Sequence, residues 1–392
     1  MLRSMYSAIS GLRNHQTKLD VIGNNISNVN THGFKKSRTI FKDLISQNIS
    51  NASGVTESRG GTNPKQVGLG ATIAAIDTIH STGSLQSTAR TLDLAIDGDG
   101  YFQVADSVPG LNGFTDIKYT RAGNFYLDKN GYLVNMDGKY LVGYEATTYL
   151  TGASDQFLDA DGLAKANPTN RLTVNEGKIY NGTTPVVITL SGANPPSGEL
   201  QINLSTNELY FVDANGKQYT LVNGTQVKDE SNNILTINTV TGLAGVGTTS
   251  LGNLINNFQG YTAELTGYKP IRIPTTAQSM SIGQDGIINF VDKNGALLVA
   301  GKIQLAKFSN TGGLEKVGGN YYQETSNSGA PLRGFPTEDG IGSIESGFLE
   351  MSNVDLSEEF TEMIVAQRGF QANARIITTS EQILEELINL KR

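Results

Sequence analysis

The chain has no cysteine and no tryptophan in 392 residues, and only three histidines, His15, His32 and His80. Without cysteine there is no disulfide, no thiolate zinc site and no cysteine nucleophile, and the redox compartment goes unmarked. None of the histidines has a second ligand at metal-site spacing, so a metal or histidine-based catalytic centre is not expected. No apolar run reaches the length of a membrane span, which argues against membrane insertion. The N-terminus lacks the apolar core of a cleaved secretory signal. A net charge of −7 and a pI near 5.2 argue against a general nucleic-acid binder. Hydrophobic residues make up only 38%, while glycine reaches 45, so the composition reads as β structure with many turns. The length allows two or three domains.

The expected catalytic, cofactor and metal sites are likewise none. Asp97-Gly98-Asp99-Gly100 and Asp159-Ala160-Asp161-Gly162 resemble fragments of calcium loops, but neither continues to the acidic twelfth position. Both read as turns. There is no phosphate loop and no dinucleotide fingerprint.

What the chain does have is apolar surface at its two ends. From Ser352 onward the sequence reads as one long helix. Leu356, Phe360, Met363, Gln367, Phe370, Ala374, Ile377, Glu381, Leu384 and Ile388 form a heptad ladder with two polar rungs. Ser352 and Asn353 are possible caps; Asp355, Glu358, Glu359 and Glu362 suit the first turns, and Lys391 and Arg392 suit the end. A helix this long is marginal alone and needs a partner. The other end supplies one. Leu2, Met5, Ile9, Leu12, Gln16, Leu19 and Ile26 also step by three, four or seven, with Gly11 and Gly23 weakening the helix. Residues 1–42 carry seven basic side chains against Asp20 alone, net +6; residues 345–392 carry nine acidic and four basic, net −5. A basic amphipathic N-terminus also suits a membrane surface, but the matching acidic helix accounts for it better. Two ordinary helices closing one domain are the plainer alternative.

Between the ends the pattern is β. Residues 46–70 are polar and glycine-rich and read as an extended arm without its own core. Residues 92–96 and 101–104 flank the Asp97–Gly100 turn like a hairpin. A strand, an Asn-Gly turn and a second strand recur at Asp128, Asp213 and Asp292. Tyr180, Tyr210, Phe211 and Tyr219 sit on strand patterns and read as core. The expected fold is mainly β with long terminal α-helices packed as a coiled-coil layer. Its expected domains are 1–42 with 350–392, helical; 43–75, arm; 76–146 with 278–349, an inner β domain; and 147–277, an outer β domain inserted into the inner one.

Two blocks carry a resemblance. The first is Asn24-Asn25-Ile26-Ser27-Asn28-Val29-Asn30-Thr31-His32-Gly33-Phe34-Lys35. The second runs from Gly347 through Glu350, Ser352, Asn353 and Leu356, then Met363 through Gln367, Arg368, Phe370 and Ala374. Together they resemble the rod and hook axial proteins of the bacterial flagellum, as does the segment from Leu92 to Val104, with Tyr101 where phenylalanine is more usual. Within that family the large middle region, together with residues 352–360 and 364–374, favours a hook member over a distal-rod member. The resemblance implies a subunit that polymerises with itself into a curved, flexible tube, a universal joint for motility. It implies extracellular placement after type III export without a cleaved signal. The implied partners are the distal rod protein, the hook-cap protein, the hook–filament junction protein and the export apparatus. The assembly interface would use Leu2, Met5, Ile9, Leu12, Leu19, Leu356, Phe360, Met363, Phe370, Ile377, Leu384 and Ile388, on helices disordered until assembly. A β-domain binding protein displayed on a stalk and a soluble coiled-coil adaptor are the competing readings.

Overall fold

The first helix, α1 (Leu2–Ser27), runs from the N-terminus to the asparagine-rich break, and the last, α3 (Leu356–Asn389), ends the chain. A short helix, α2 (Gly247–Asn257), lies between them, and the rest is antiparallel β structure. The computed structural model describes residues 2–54, 59–107, 114–151, 156–161, 163–165, 170–191, 195–229, 231, 233–244 and 247–390; Gly162, Asn194, Lys391 and Arg392 lie outside the described residues, as do the side chains of Leu2, Thr266 and Leu387. The chain is mainly β, with its terminal helices packed on one another.

It divides into two units. One comprises Met1–Ser87, Phe308–Ala330 and Leu349–Arg392; the other comprises Thr88–Lys307 and Pro331–Phe348. In the first unit α1 leads into β1 (Ser37–Asp43), β2 (Ser46–Ser50), β3 (Lys65–Gly68) and β4 (Ala71–Thr78). β1 pairs with β4 and lies along α1; β2 pairs with β3 and is exposed throughout. The arm is therefore a two-tier ribbon. Gly70 (φ +121°) lets it reach the helix, because a side chain there would meet Ser10.

In the second unit the Asn-Gly motifs form three hairpins, pairing Tyr126–Leu127 with Leu133–Val134, Glu208–Asp213 with Gln218–Asn223, and Ile287–Val291 with Leu297–Ile303. Gly131, Gly216 and Gly295 take positive φ at the turns. Asp128 and Asp213 each accept two backbone N–H bonds across their loops, which makes these turns self-capping. The strands flanking Asp97–Gly100 do not form the hairpin that their pattern predicts. Leu94–Asp97 pairs with Ser343–Ser346, and Tyr101–Ser107 pairs with Phe114–Thr120. Gly98 and Gly100 turn the chain through a corner that Gly342 approaches closely, and both strands run into buried core. Phe211 and Tyr219 stack at 4.6 Å and are buried, while Tyr180 and Tyr210 are half-buried. The ladder between Tyr140–Thr151 and Gly260–Pro270 shifts register between Glu145 and Ala146 and continues past Thr147 to Thr151.

Candidate assembly interface

α1 and α3 run antiparallel. Asn25 Nδ2 donates to Glu359 Oε2 at 3.1 Å, Lys18 pairs with Glu362 at 3.0 Å, Gly369 faces the His15 ring, and Gly11 faces Asn373. The opposite charges of the two ends thus meet partly within one chain. The glycines have a packing role as well as a propensity cost. A Cβ on Gly369 would lie 2.6 Å from the His15 imidazole, and one on Gly11 would lie 2.9 Å from Asn373 Nδ2. Ala8, Ile22, Asn25, Glu359, Ala366 and Ser380 are buried along the same face.

The seam is therefore not the apolar ladder that the sequence suggests. It is made largely of small and polar residues, because these let the two backbones approach. Met5, Ile9, Leu12, Leu19, Met363, Phe370, Ile377 and Leu384 are half-buried beside it. Leu356, Phe360 and Ile388 stay exposed, and so do Gln367 and Arg368, as their polarity prefers. Ile364 and Val365 add to the uncovered apolar surface at 59% and 60% exposure. Sequence reasoning missed both; their signal is a second apolar stripe beside the ladder. The arm adds Ile45, Ile49 and Val67.

Burial of titratable groups tunes this seam. Desolvation raises the pKa of the Glu359 carboxyl, although Asn25 and Lys36 oppose the shift and Glu362 and Glu358 add to it. Desolvation lowers the His15 imidazole, helped by the charge of Lys18.

The asparagine-rich break is a tie between the chain ends. Lys35 and Glu350 form a fully buried ion pair, and Lys35 Nζ also donates to Ser81 O at 2.7 Å. Glu350 Oε1 accepts from Gly83 N at 2.9 Å, and its backbone oxygen accepts from Gly33 N at 2.8 Å. Gly33 has φ +71°, a conformation that favours glycine. Phe34 is buried beneath Lys316 Nζ, 5.0 Å from the ring centre. Asn25 Oδ1 accepts from Ser37 N, which fixes the entry to the arm.

Asn353 does not cap α3. Its Oδ1 accepts from Lys36 N at 2.8 Å and its Nδ2 donates to Ile79 O at 2.8 Å, so it joins three segments. Ser352 is not the cap either, and its hydroxyl is buried without a hydrogen-bond partner among the described residues. Asp355 caps the helix by accepting from Ser357 N and Glu358 N. Asn28 bonds Asn24 and Thr31 locally, and Asn30 is exposed. The described residues hold no group of three or more metal-ligating side chains, and no described helix is long and apolar enough to cross a membrane.

A β-rich chain whose ends are tied together, with apolar surface left along the edges of its helix pair, has the make-up of a structural building block. The chain belongs to the flagellar hook and rod protein family. Residues 5–35 match the flagella basal body rod protein model, residues 95–192 the flagellar hook protein FlgE/F/G D1 domain, and residues 345–390 the flagellar basal body rod FlgEFG protein C-terminal model. The chain is 41% identical to the flagellar hook protein FlgE of Borreliella burgdorferi and 41% identical to the flagellar basal-body rod protein FlgG of Bacillus subtilis, each over all of both chains. It is 34% identical to FlgE of Escherichia coli, covering 98% of this chain and 99% of that one. The rod-named relative matches end to end, so the length of the middle region does not by itself separate hook from rod. A solved structure of the Helicobacter pylori hook protein FlgE2 covers 68% of this chain at 16% identity and a TM-score of 0.31, too loose to support an argument.

Proposed function

We propose that the chain is the structural subunit of a flagellar hook, polymerising into a flexible helical tube that passes torque from rod to filament. Full-length similarity to several proteins named flagellar hook protein FlgE supports this reading. The observation that carries the assembly step is the uncovered apolar surface on α3, where Phe360, Ile364 and Val365 are 49%, 59% and 60% exposed. An apolar stripe of this kind on a helix is a contact surface awaiting a partner. The implied partners are further copies of the chain, the distal rod protein, the hook-cap protein, the junction protein and the type III export apparatus. The role needs no catalytic residue and no cofactor.

The test is electron microscopy of the purified protein under salting-out conditions, with Phe360→Asp beside it. The wild type should form tubes. Phe360 is 49% exposed within its own chain, so the variant should keep most of the wild-type melting curve and fail to polymerise. Normal tubes from the variant would remove this face from the interface. Small closed oligomers from the wild type would favour the adaptor reading.

A further inference from the structure

The last turns of α3 have nothing of α1 opposite them. Gly11 faces Asn373 and the helices are antiparallel, so α1 runs out about ten residues further along α3. Ile388 and Leu390 lie beyond that point and are 67% and 82% exposed. Leu390 is the most exposed large apolar side chain among the described residues. Glu385 and Glu386 beside them make no ion pair among the described residues. A helix C-terminus also presents carbonyl oxygens without intrahelical partners and a partial negative charge, which the following Lys391 and Arg392 of the sequence offset in part.

The other end of the helix pair has complementary features. A cavity of about 280 Å³ opens where α1 ends, lined by Asn24, Asn28, Phe34, Lys316, Tyr321 and Tyr322. Its aromatic walls suit an aliphatic knob. The Asn24 side-chain amide donates no hydrogen bond to the described residues, so it is available to a carbonyl. Lys316 Nζ donates to Lys35 O at 2.9 Å and to Ser37 Oγ at 3.3 Å, but no carboxylate of the described residues pairs with it. Desolvation lowers its pKa, as expected of a cation short of negative charge.

We infer that this cavity is a socket for the C-terminal tip of α3 from a second copy of the chain. Leu390 and Ile388 fill it, Asn24 donates to the terminal carbonyls, and Lys316 faces Glu385 or Glu386. The contact is head-to-tail: knob and socket lie at opposite ends of one unit. A head-to-tail contact that does not close into a ring generates an open helical polymer. The inference rests on the proposed self-assembly and adds the contact that sets its direction.

The chain has no native cysteine, so engineered pairs report cleanly. In the variant Asn24→Cys with Leu390→Cys, the two thiols of one molecule stand roughly 50 Å apart along the helix, far beyond disulfide reach. Oxidised tubes should therefore give a ladder of covalent multimers on a denaturing gel, and each single variant should give none. A second pair, Tyr321→Cys with Ile388→Cys, guards against a change that blocks assembly. Tubes from either pair that remain monomeric after oxidation would overturn the socket while leaving the hook reading intact. Failure of the wild type to form tubes would count against the hook reading itself.

Discussion

Glycine has different consequences at three places in the terminal helices. Gly23 has open space where a Cβ would go, whereas Gly11 and Gly369 are filled by Asn373 and His15. Gly23→Ala should therefore stabilise the helix pair by about 1 kcal/mol, the ordinary helix-propensity gain. Gly369→Ala should lose that gain, because the new methyl must displace the imidazole. Thermal melts of the helical circular dichroism signal in assembled tubes compare the two. Equal stabilisation by both would show that the notch at Gly369 is not needed. The Lys35–Glu350 pair gives a second contrast. Glu350→Leu strands a buried ammonium and should cost about 3–5 kcal/mol, while Lys35→Met with Glu350→Leu should restore most of it. Chemical denaturation of the two variants measures the difference, and a double variant no better than the single would mean that the pair also fixes the local geometry.

At the scale of elements, the α1–α3 seam holds two groups whose titrations oppose each other. His15 has a lowered pKa in the fold, so the unfolded chain binds the proton first. The seam should lose stability as pH falls below about 6.5, the ordinary histidine value, toward the depressed folded value. Glu359 has a raised pKa, so its protonated form is favoured in the fold. Its contribution is fully present below about 4.5, the ordinary value, and is lost as pH rises through the raised value. On acidification His15 thus takes stability from the seam while Glu359 adds to it, and melting followed across pH reads the balance of the two. Relative to the wild type, His15→Gln should lose less stability on acidification, and Glu359→Gln should lose more. Variant profiles parallel to the wild type would show that these groups do not control the seam. The arm shows the same dependence on neighbours: its polar sequence gives no core, yet β1 and β4 find one side of α1 through Ser10 and Phe41.

At the scale of the molecule, the second unit is threaded by one long ladder. Tyr140–Thr151 and Gly260–Pro270 stay paired from Val142 to Thr151 on one strand, with Thr151 opposite Gly260. We propose that the residues beyond this stem form an inserted outer region; it is best removed at its far end, since cutting at Thr147 and Ala277 would sever the ladder. Replacing residues 152–259 with a short turn should leave a folded chain that still polymerises into tubes of altered curvature or stiffness. Loss of folding would mean that the outer region shares its core with the rest of the unit. Circular dichroism and microscopy of the same sample distinguish the outcomes.

The sequence by itself determined the elements that depend on local chemistry. Both terminal helices follow from apolar periodicity, and the last one also from the acidic residues of its first turn. The three Asn-Gly hairpins follow from glycine at a positive φ, and in two of them Asp128 and Asp213 also satisfy their own turns. The opposite charges of the two ends foreshadowed their partnership. The tertiary structure decided what faces what. Large apolar residues dominate a periodicity count, yet two helices approach closest where side chains are smallest, so the seam formed along Gly11, Ala366 and Gly369, and the ladder was left beside it. Asn353 has the chemistry of a cap, but three backbone groups distant in sequence claimed it, and Asp355 capped instead. The residues around Asp97–Gly100 have the pattern of a hairpin, but each strand found a better-buried neighbour far along the chain. Such pairings depend on which surfaces meet, and a linear pattern does not contain that distance.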